Sequence, residues 1–594
     1  MSSEQIILFI LLLFVFVFLI WGRWRYDLVA FTALTIALFA GVVPLDSAFS
    51  GFGHPATVIV ALVLVVSRAL SNSGVVELIG RYAVSASRSL GAHIGIMSGV
   101  AAVLSAVMNN VAALALLMPV DLQTAAKANR SPALSLMPLS FASILGGMIT
   151  LIGTPPNIII AEFRGSTLGQ PFRMFDFTPV GAICALVGIA FVALVGWRLI
   201  PQARADRDSG RELMNLSDYI AEVELPEGSS LAGQRVRELD AVTEEHEVSI
   251  VGVVRAGRRM PGMARTVELR AGDVLILEAA PDAIEKFTGA YKLKFARKGS
   301  GVSEVTGGDK DLALVEVVVP EGARIDGRSA LSLRLLARHD VTLLGVSRQG
   351  KRFPERVRKL TIQGGDILLL LGPEDRLPEV VQWLGCLPLA ERGLKVLQRQ
   401  KALGAITIFA AAVAIASLGL VDLAVALGAA VAALVAFNIV PLRELYESVE
   451  WPVVVLLGSM IPLGAALEST GSTSVIVSGL LDISAGLSPA MVLVLLMVIT
   501  MTLSDVMNNT ATAIIAAPIA VEIAARLQVS ADPFLMCVAV AASCAFLTPI
   551  GHKNNTLIMG PGGYHFGDYW RMGLPLELLI IAVGAPAILW FWPL

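Results

Sequence analysis

The sequence predicts a polytopic α-helical membrane protein, with two inverted repeats of five spans plus a re-entrant hairpin each and a cytoplasmic α/β insert of two small tandem domains. Three observations predict it. Of 594 residues, 55% are hydrophobic and only 16% are charged, against roughly 25% charged in a soluble domain. The apolar runs are confined to residues 1–200 and 400–594, while residues 203–396 read as ordinary soluble protein. One pair of polar, glycine-containing motifs recurs in both apolar regions.

The first apolar run, Ile6 to Trp21, resembles a signal peptide in length. It lacks a basic segment before it and a small-residue cleavage site after it. Arg23-Trp24-Arg25 follows instead, which suits an interfacial anchor after a retained span. A helical span needs about 20 apolar residues. Spans are expected near 6–21, 28–44, 56–71, 132–162 and 177–200, and again near 402–419, 421–440, 451–466, 532–562 and 573–593. The stretches 93–120 and 488–521 carry polar residues at their centres and are expected as re-entrant hairpins. Irregular polar backbone survives at membrane depth only where protein or a wet cavity lines it.

Basic residues set the orientation. Arg23, Arg25, Arg68, Arg81, Arg88, Lys127, Arg130, Arg198 and Arg204 fall on one side if the N-terminus is outside. The expected location is the inner (cell) membrane, with both termini outside and the insert in the cytoplasm. Five spans per half is an odd number, so the second half starts from the opposite side. Inverted repeats with broken helices around a midplane site are a recurrent transporter design.

The repeat is legible residue by residue. Ser105-Ala-Val-Met-Asn109-Asn110-Val111-Ala precedes Pro119, and Ser504-Asp-Val-Met-Asn508-Asn509-Thr510-Ala precedes Pro518. Downstream stand Gly153-Thr154-Pro155-Pro156-Asn157 and Gly551-His552-Lys553-Asn554-Asn555. Carbonyls at a helix C-terminus bind a hard cation such as Na⁺, and amides at a helix N-terminus bind an anion. Gly153 and Gly551 let the backbone turn and approach closely. A cation beside an anion in each of two half-sites makes a coupled symport site. The alternative for either motif alone is interhelical glue.

These paired tips and the Gly-Thr-Pro-Pro-Asn loop resemble the divalent anion/sodium symporter family, the di- and tricarboxylate and sulfate carriers. The resemblance spans both membrane halves. It implies one sodium site from Ser105, Asn109, Asn110 and Gly153, and another from Ser504, the Met507 carbonyl, Asn509 and Gly551. It places Asn110, Val111, Asn509 and Thr510 at the anion, with Thr154, Pro155 and His552 close by. It also implies a homodimer and an elevator-like or rocking movement of the hairpin-bearing region. Asn109 and Asn508 stand where the family has serine, and Val111 replaces a hydrogen-bonding threonine. Lys553 is open to three roles: holding the anion, substituting for the second sodium, or snorkelling to the interface. Asp505 is the only acid near either tip; it is a coupling candidate, alone or paired with Lys553, or a helix cap. The Gly560-Pro-Gly-Gly-Tyr564 stretch is similar to the branch that includes proposed sulfate carriers, which favours sulfate, with a dicarboxylate next.

Membrane repeats are expected at 1–202 and 400–594, and insert domains at 215–297 and 308–390. The insert repeats internally: Val248 to Arg255 matches Val341 to Arg348, and Ala271 to Leu277 matches Gly364 to Leu370. Short β-branched runs, glycine turns and a closing helix suggest small α/β units. They resemble tandem C-terminal RCK (TrkA-C) domains, which bind small regulators. Arg255, Arg258, Arg259, Arg348, Lys351 and Arg352 lie at equivalent hairpins and are candidates for an anionic regulator; the alternative is a solvated turn. Residues Pro201 to Arg211 and Pro388 to Gln400 are the expected linkers.

The net charge of −3 gives no nucleic-acid bias. Cys184, Cys386, Cys537 and Cys544 have neither metal nor redox spacing. No Walker motif, GxGxxG fingerprint or nucleophile–base set stands out, so no enzyme and no enzymatic cofactor is expected. The expectation is a cation-coupled carrier of a small anion, Na⁺ being the co-transported ion. The alternatives are a proton-coupled or uncoupled exchanger or channel on the same fold, and a membrane sensor signalling through the insert.

Overall fold

In the computed structural model of the chain, the described residues are 2–21, 24–72, 89–128, 130–201, 220–239, 243, 248–255, 258–259, 267–278, 281–295, 312–339, 341–348, 351–352, 357, 360–373, 376–389, 399–483 and 486–594. Arg23, Arg81, Arg88 and Arg204 of the orientation argument lie outside them, as do most of both expected linkers. The chain divides into two compact units: residues 1–205, 393–555 and 565–594 form one, and residues 206–392 with 556–564 form the other.

The first half of unit 1 runs α1 (Ser3–Trp21), α2 (Tyr26–Phe39), α3 (Pro55–Asn72), α4 (Leu90–Ser105), α5 (Asn110–Lys127), α6 (Ala133–Gly147), α7 (Pro155–Leu168) and α8 (Thr178–Leu194). The expected hairpin 93–120 is therefore α4 and α5 meeting at residues 106–109. The expected span 132–162 is a broken helix, interrupted at residues 148–154. The break ends where Thr154 is extended and Pro155-Pro156 open α7. Proline suits the first helical turn, where its missing N–H costs nothing.

Unit 2 contains two five-stranded antiparallel sheets. The first is built from β1 (Ile220–Glu224), β2 (Ser249–Arg255), β3 (Arg258–Arg259), β4 (Val274–Glu278) and β5 (Lys294–Phe295), closed by α9 (Pro281–Ala290). The second is built from β6 (Leu312–Val318), β7 (Thr342–Arg348), β8 (Lys351–Arg352), β9 (Ile367–Pro373) and β10 (Leu387–Pro388), with α10 (Leu335–His339) and α11 (Leu377–Leu384). Their orders, β3-β2-β4-β1-β5 and β8-β7-β9-β6-β10, are the same path. Each also has a register shift at the same place, Ile250/Gly252 and Leu343/Gly345. Each has its own apolar core, around Val223, Leu275 and Phe287 in one and Val317, Leu343 and Leu370 in the other.

The second half of unit 1 runs α12 (Arg399–Ser417), α13 (Leu423–Ala436), α14 (Leu442–Glu447), α15 (Trp451–Ser469), α16 (Ser472–Ile483), α17 (Pro489–Val506), α18 (Asn509–Leu527), α19 (Asp532–Ser543), the start of α20 (Lys553–Met559), whose residues from Thr556 on are assigned to unit 2, and α21 (Tyr569–Phe591). Here α17 and α18 form the second hairpin, and α19 and α20 the second broken helix. Ser488 caps α17 through Met491 N, and Asn508 caps α18 through Thr510 N, each satisfying an amide that has no partner inside its helix. Among the described residues, α15, α17, α18 and the segment Phe566–Phe591 are long and apolar enough to cross a membrane. Both arms of the second hairpin are thus of full spanning length.

Both hairpins pack against the first segment of the neighbouring broken helix, α4 and α5 on α6, and α17 and α18 on α19. These two segments are the centre of the unit. Every residue from Ser135 to Gly147 is buried, and so is every residue from Pro533 to Ser543. Helices apolar on all sides have no face for water and sit inside. The Phe141 and Phe546 rings meet at 4.9 Å. The arms of the first hairpin are further tied by His93 Nε2, 2.7 Å from Asp121 Oδ1, and Asp121 Oδ2 accepts from Ser135 Oγ at 2.6 Å. Both oxygens of the buried Asp121 carboxylate thus have a partner.

Candidate functional site

Each hairpin tip is latched to its broken helix by one repeated bond pattern. Thr150 Oγ1 donates to the Ala106 carbonyl, and Thr548 Oγ1 donates to the Asp505 carbonyl. Asn157 Nδ2 donates to Thr150 O at 2.8 Å, and Asn555 Nδ2 donates to Thr548 O at 3.1 Å. The helix-terminal carbonyls that α4 and α17 cannot satisfy internally are taken up this way. The sequence motifs that flagged the breaks supply these asparagines.

In the first half, Ser105, Asn110 and Ser143 converge. Ser105 Oγ donates to Asn110 Oδ1 at 2.6 Å, Ser143 Oγ donates to the Asn110 carbonyl at 2.8 Å, and the two hydroxyls are 3.4 Å apart. Gly147 makes room: a Cβ there would lie 2.3 Å from Asn110 Oδ1. Gly153 backs onto Gly147 in turn, where a Cβ would lie 2.4 Å from its carbonyl oxygen. Ser105, Asn110 and Gly153 are therefore neighbours through Gly147. Asn109 is turned elsewhere: its Oδ1 accepts the Val111 amide at 2.8 Å, as a cap on α5.

The second half donates to the same spot. Asn110 Nδ2 is 3.2 Å from His552 Nε2, and Asn554 Nδ2 donates to the Asn110 carbonyl at 3.4 Å. Ser140 Oγ donates to Asn555 Oδ1 at 2.9 Å. All of these side chains are buried. Around them, Thr154 Oγ1 and Asn554 Oδ1 have no hydrogen-bond partner among the described residues. A buried orphan of this kind costs about 1–3 kcal/mol.

The second tip is arranged differently. Ser504 Oγ donates to Ala542 O at 2.5 Å, and a Cβ on Gly551 would stand 2.8 Å from Ser504 O, so Ser504 and Gly551 are adjacent. Asn508 Oδ1 and Asn509 Oδ1 both accept the Thr510 amide at 2.9 Å. Met507 is extended, which frees its carbonyl from the helical ladder. Asp505 Oδ1 accepts from Leu547 N at 2.8 Å. Its Oδ2 and Glu577 Oε1 lack any N–H or O–H partner among the described residues, and the two carboxyls face each other.

Lys553 does not pair with Asp505. Its ammonium is bonded to Glu450, the residue just before α15, and stands 5.7 Å from the Tyr26 ring centroid. The preceding residue, His552, faces Asn110 instead, because consecutive residues at a helix start point in different directions. Sequence reasoning missed Ser143, Gly147, Asn554 and Glu577. A signal existed for three of them. Ser140, Ser143 and Gly147 recur at helical spacing on one face of an apolar helix. Glu577 is the only acid in the apolar α21.

The insert's hairpin arginines are committed to structure. Arg255 grips Asp273 with both nitrogens at 2.7 Å, and Arg348 grips Asp366 in the same way. Burial pushes the Asp273 carboxyl up, but its bonds from Arg255 and the Arg270 amide outweigh this and hold it below the usual range. The Arg258, Arg259, Lys351 and Arg352 side chains lie outside what is described.

The family model described as citrate transporter matches residues 16–493 and 484–593. An uncharacterized transporter of Synechocystis is 30% identical over 583 residues, covering 97% of this chain and 94% of that one. The uncharacterized transporter YfbS of Escherichia coli is 29% identical over 614 residues, covering 98% of each. Sodium/sulfate cotransporter 1 of Chlamydomonas reinhardtii is 23% identical over 367 residues, covering 58% of this chain and 40% of that one.

Proposed function

Because the chain belongs to the citrate transporter family, and is thereby a multi-pass membrane transporter of anions, we propose that it is a secondary active importer of a small divalent anion, sulfate before a dicarboxylate, coupled to Na⁺. The observation that carries this is the junction at Asn110. One buried amide is bonded by Ser105 and Ser143 of the first half and approached by His552 and Asn554 of the second. A movement of either half alters the shell around it, which alternating access requires. The oxygens of Ser105, Asn110 and Ser143 suit a hard monovalent cation. The amides of Asn110 and Asn554, with the His552 ring, suit an oxyanion. The name of the Chlamydomonas relative supports sulfate and Na⁺.

The halves act as inverted repeats of a homodimer in the inner membrane, with the termini outside. The insert is a cytoplasmic pair of TrkA-C-like domains (215–297 and 308–390) that regulates uptake. The first cation is held by Ser105, Asn110 and Gly153, and the second by Ser504, the Met507 carbonyl, Asn509 and Gly551. Val111, Thr154, Pro155 and Thr510 complete the anion's surroundings.

One observation favours a second reading, proton coupling. Asp505 and Glu577 are buried carboxyls that face each other, a pair whose like-charge repulsion a single shared proton would relieve, and the first half has Ala106 where Asp505 stands. Lys553, engaged by Glu450, lends no support to an uncoupled channel.

The test is uptake into proteoliposomes of labelled sulfate, succinate and citrate under Na⁺ or H⁺ gradients. Sulfate uptake driven by inward Na⁺ is expected. Uptake driven by H⁺ alone replaces Na⁺ with the proton reading. No uptake of any of the three anions refutes the proposal.

A further inference from the structure

The second sheet domain of the insert carries an open cleft of about 680 Å³ lined by Arg324, Arg328, Ser332, Arg334, Arg338 and Trp383. Small-molecule sites span roughly 300–1,000 Å³, so the cleft exceeds what inorganic phosphate fills. Among the described residues none of these four arginines has an ion-pair partner. The nearby Asp326 is already engaged, its Oδ2 by Gly322 N at 2.8 Å and its Oδ1 by Gly364 N at 3.2 Å. The Arg324 guanidinium is braced 4.9 Å above the Trp383 ring, which is packed on its other contacts by His339 at 4.5 Å. A cation over an indole is held in place at little entropic cost.

The molecule contains its own control. The first sheet domain follows the same strand path, yet the positions matching Arg324, Arg328, Ser332 and Arg334 are Ser230, Gln234, Glu238 and Asp240. The fold therefore does not require arginines there. Four like charges around one concavity repel each other, and burial of core side chains gives them no compensation. The two arginines that the fold does use, Arg255 and Arg348, are the same in both domains and each has its aspartate.

We infer that this cleft binds a multiply charged phosphate compound of nucleotide size. Guanidinium groups take phosphate oxygens two at a time, with a geometry that lysine cannot reproduce. Arg328, Arg334 and Arg338 supply that recognition, and Arg324 on Trp383 fixes one edge of the site. The inference stands apart from the transport reading, since it concerns a different unit of the chain.

Calorimetric titration of the purified full-length chain with ATP and with tripolyphosphate, at low and high salt, tests it. Saturable binding of at least one of them is expected, weakening as salt screens the charges. The Arg328→Ala/Arg338→Ala variant should bind at least tenfold more weakly, with an unchanged melting temperature because both side chains are exposed. Lys294→Ala, an exposed cation of the first domain, should leave binding unchanged. So should Asn110→Ala, and so should saturating sulfate, which separates this cleft from the membrane site. The inference is overturned if neither compound binds saturably, if the double variant binds as wild type does, or if sulfate or Asn110→Ala removes the binding.

Discussion

Gly147→Ala displaces the Asn110 amide through a contact with the end of its side chain. The added methyl carbon would stand 2.3 Å from Asn110 Oδ1, where ordinary contact begins at 3.4 Å. The amide must move by about 1 Å, and overpacking of this size costs about 1–3 kcal/mol. What yields is the end of a side chain, so the backbone of α6 stays in place. The displaced amide loses Ser105 Oγ, now at 2.6 Å, and its approach to His552, now at 3.2 Å. Two such bonds are worth about 0.5–1.5 kcal/mol each. The expected result is a KM for anion uptake raised roughly ten- to hundredfold, at about 1.4 kcal/mol per factor of ten. Gly153→Ala is the contrast: there the methyl meets the backbone of Gly147, with its oxygen at 2.4 Å and its Cα at 2.9 Å. That variant should lose more melting temperature than Gly147→Ala, as well as uptake. Both are read by proteoliposome uptake beside thermal melting in detergent. A Gly147→Ala protein with wild-type KM would remove Asn110 from the substrate shell.

Asn110→Ala and Asn509→Ala should each abolish uptake while leaving expression intact; wild-type rates in either would exclude that residue. Lys553→Gln should leave the anion KM within about twofold, because its partner is Glu450, and a double-mutant cycle with Glu450→Gln should show the coupling in melting temperature. The Arg255–Asp273 pair gives a pH dependence. Asp273 is held below the usual carboxylate range, so its stabilisation is fully present above the unfolded value of about 3.9 and is lost as pH falls through the folded value. The hydrogen-exchange protection of β2 and β4, after allowance for the slower intrinsic exchange in acid, should fall in the wild type as pH drops below about 5. Asp273→Asn should flatten that change; an unaltered acid profile would assign it to other groups.

Much of the candidate site was legible because its signals are local. The Ser-x-x-x-Asn-Asn tips cap the helices that follow them, an interaction between residues two apart at 2.8–2.9 Å. The Gly-x-x-x-Asn breaks close on themselves across seven residues. Their recurrence separated them from incidental polar residues in apolar helices. Local signals misled where a side chain has a choice of neighbours. Lys553 and Asp505 lie near one break in the chain, yet Lys553 is bonded to Glu450, just before α15, and Asp505 faces Glu577 of α21. Arg255 and Arg348 of the insert invited a ligand, but their aspartates stand eighteen positions along, just before the neighbouring strand.

The sequence by itself determined the two apolar halves, the polar breach in each, and the duplicated insert. Spanning length, capping residues, glycine and proline act within a few residues and leave their pattern in the chain. The tertiary structure alone decided that Asn110 meets His552 across 442 residues. It also decided that Ser143 and Gly147 form the wall behind it, and that four arginines without an ion-pair partner among the described residues gather around one cleft of the second sheet domain. Those outcomes depend on which buried faces pack together, and no periodicity within a segment encodes its partner.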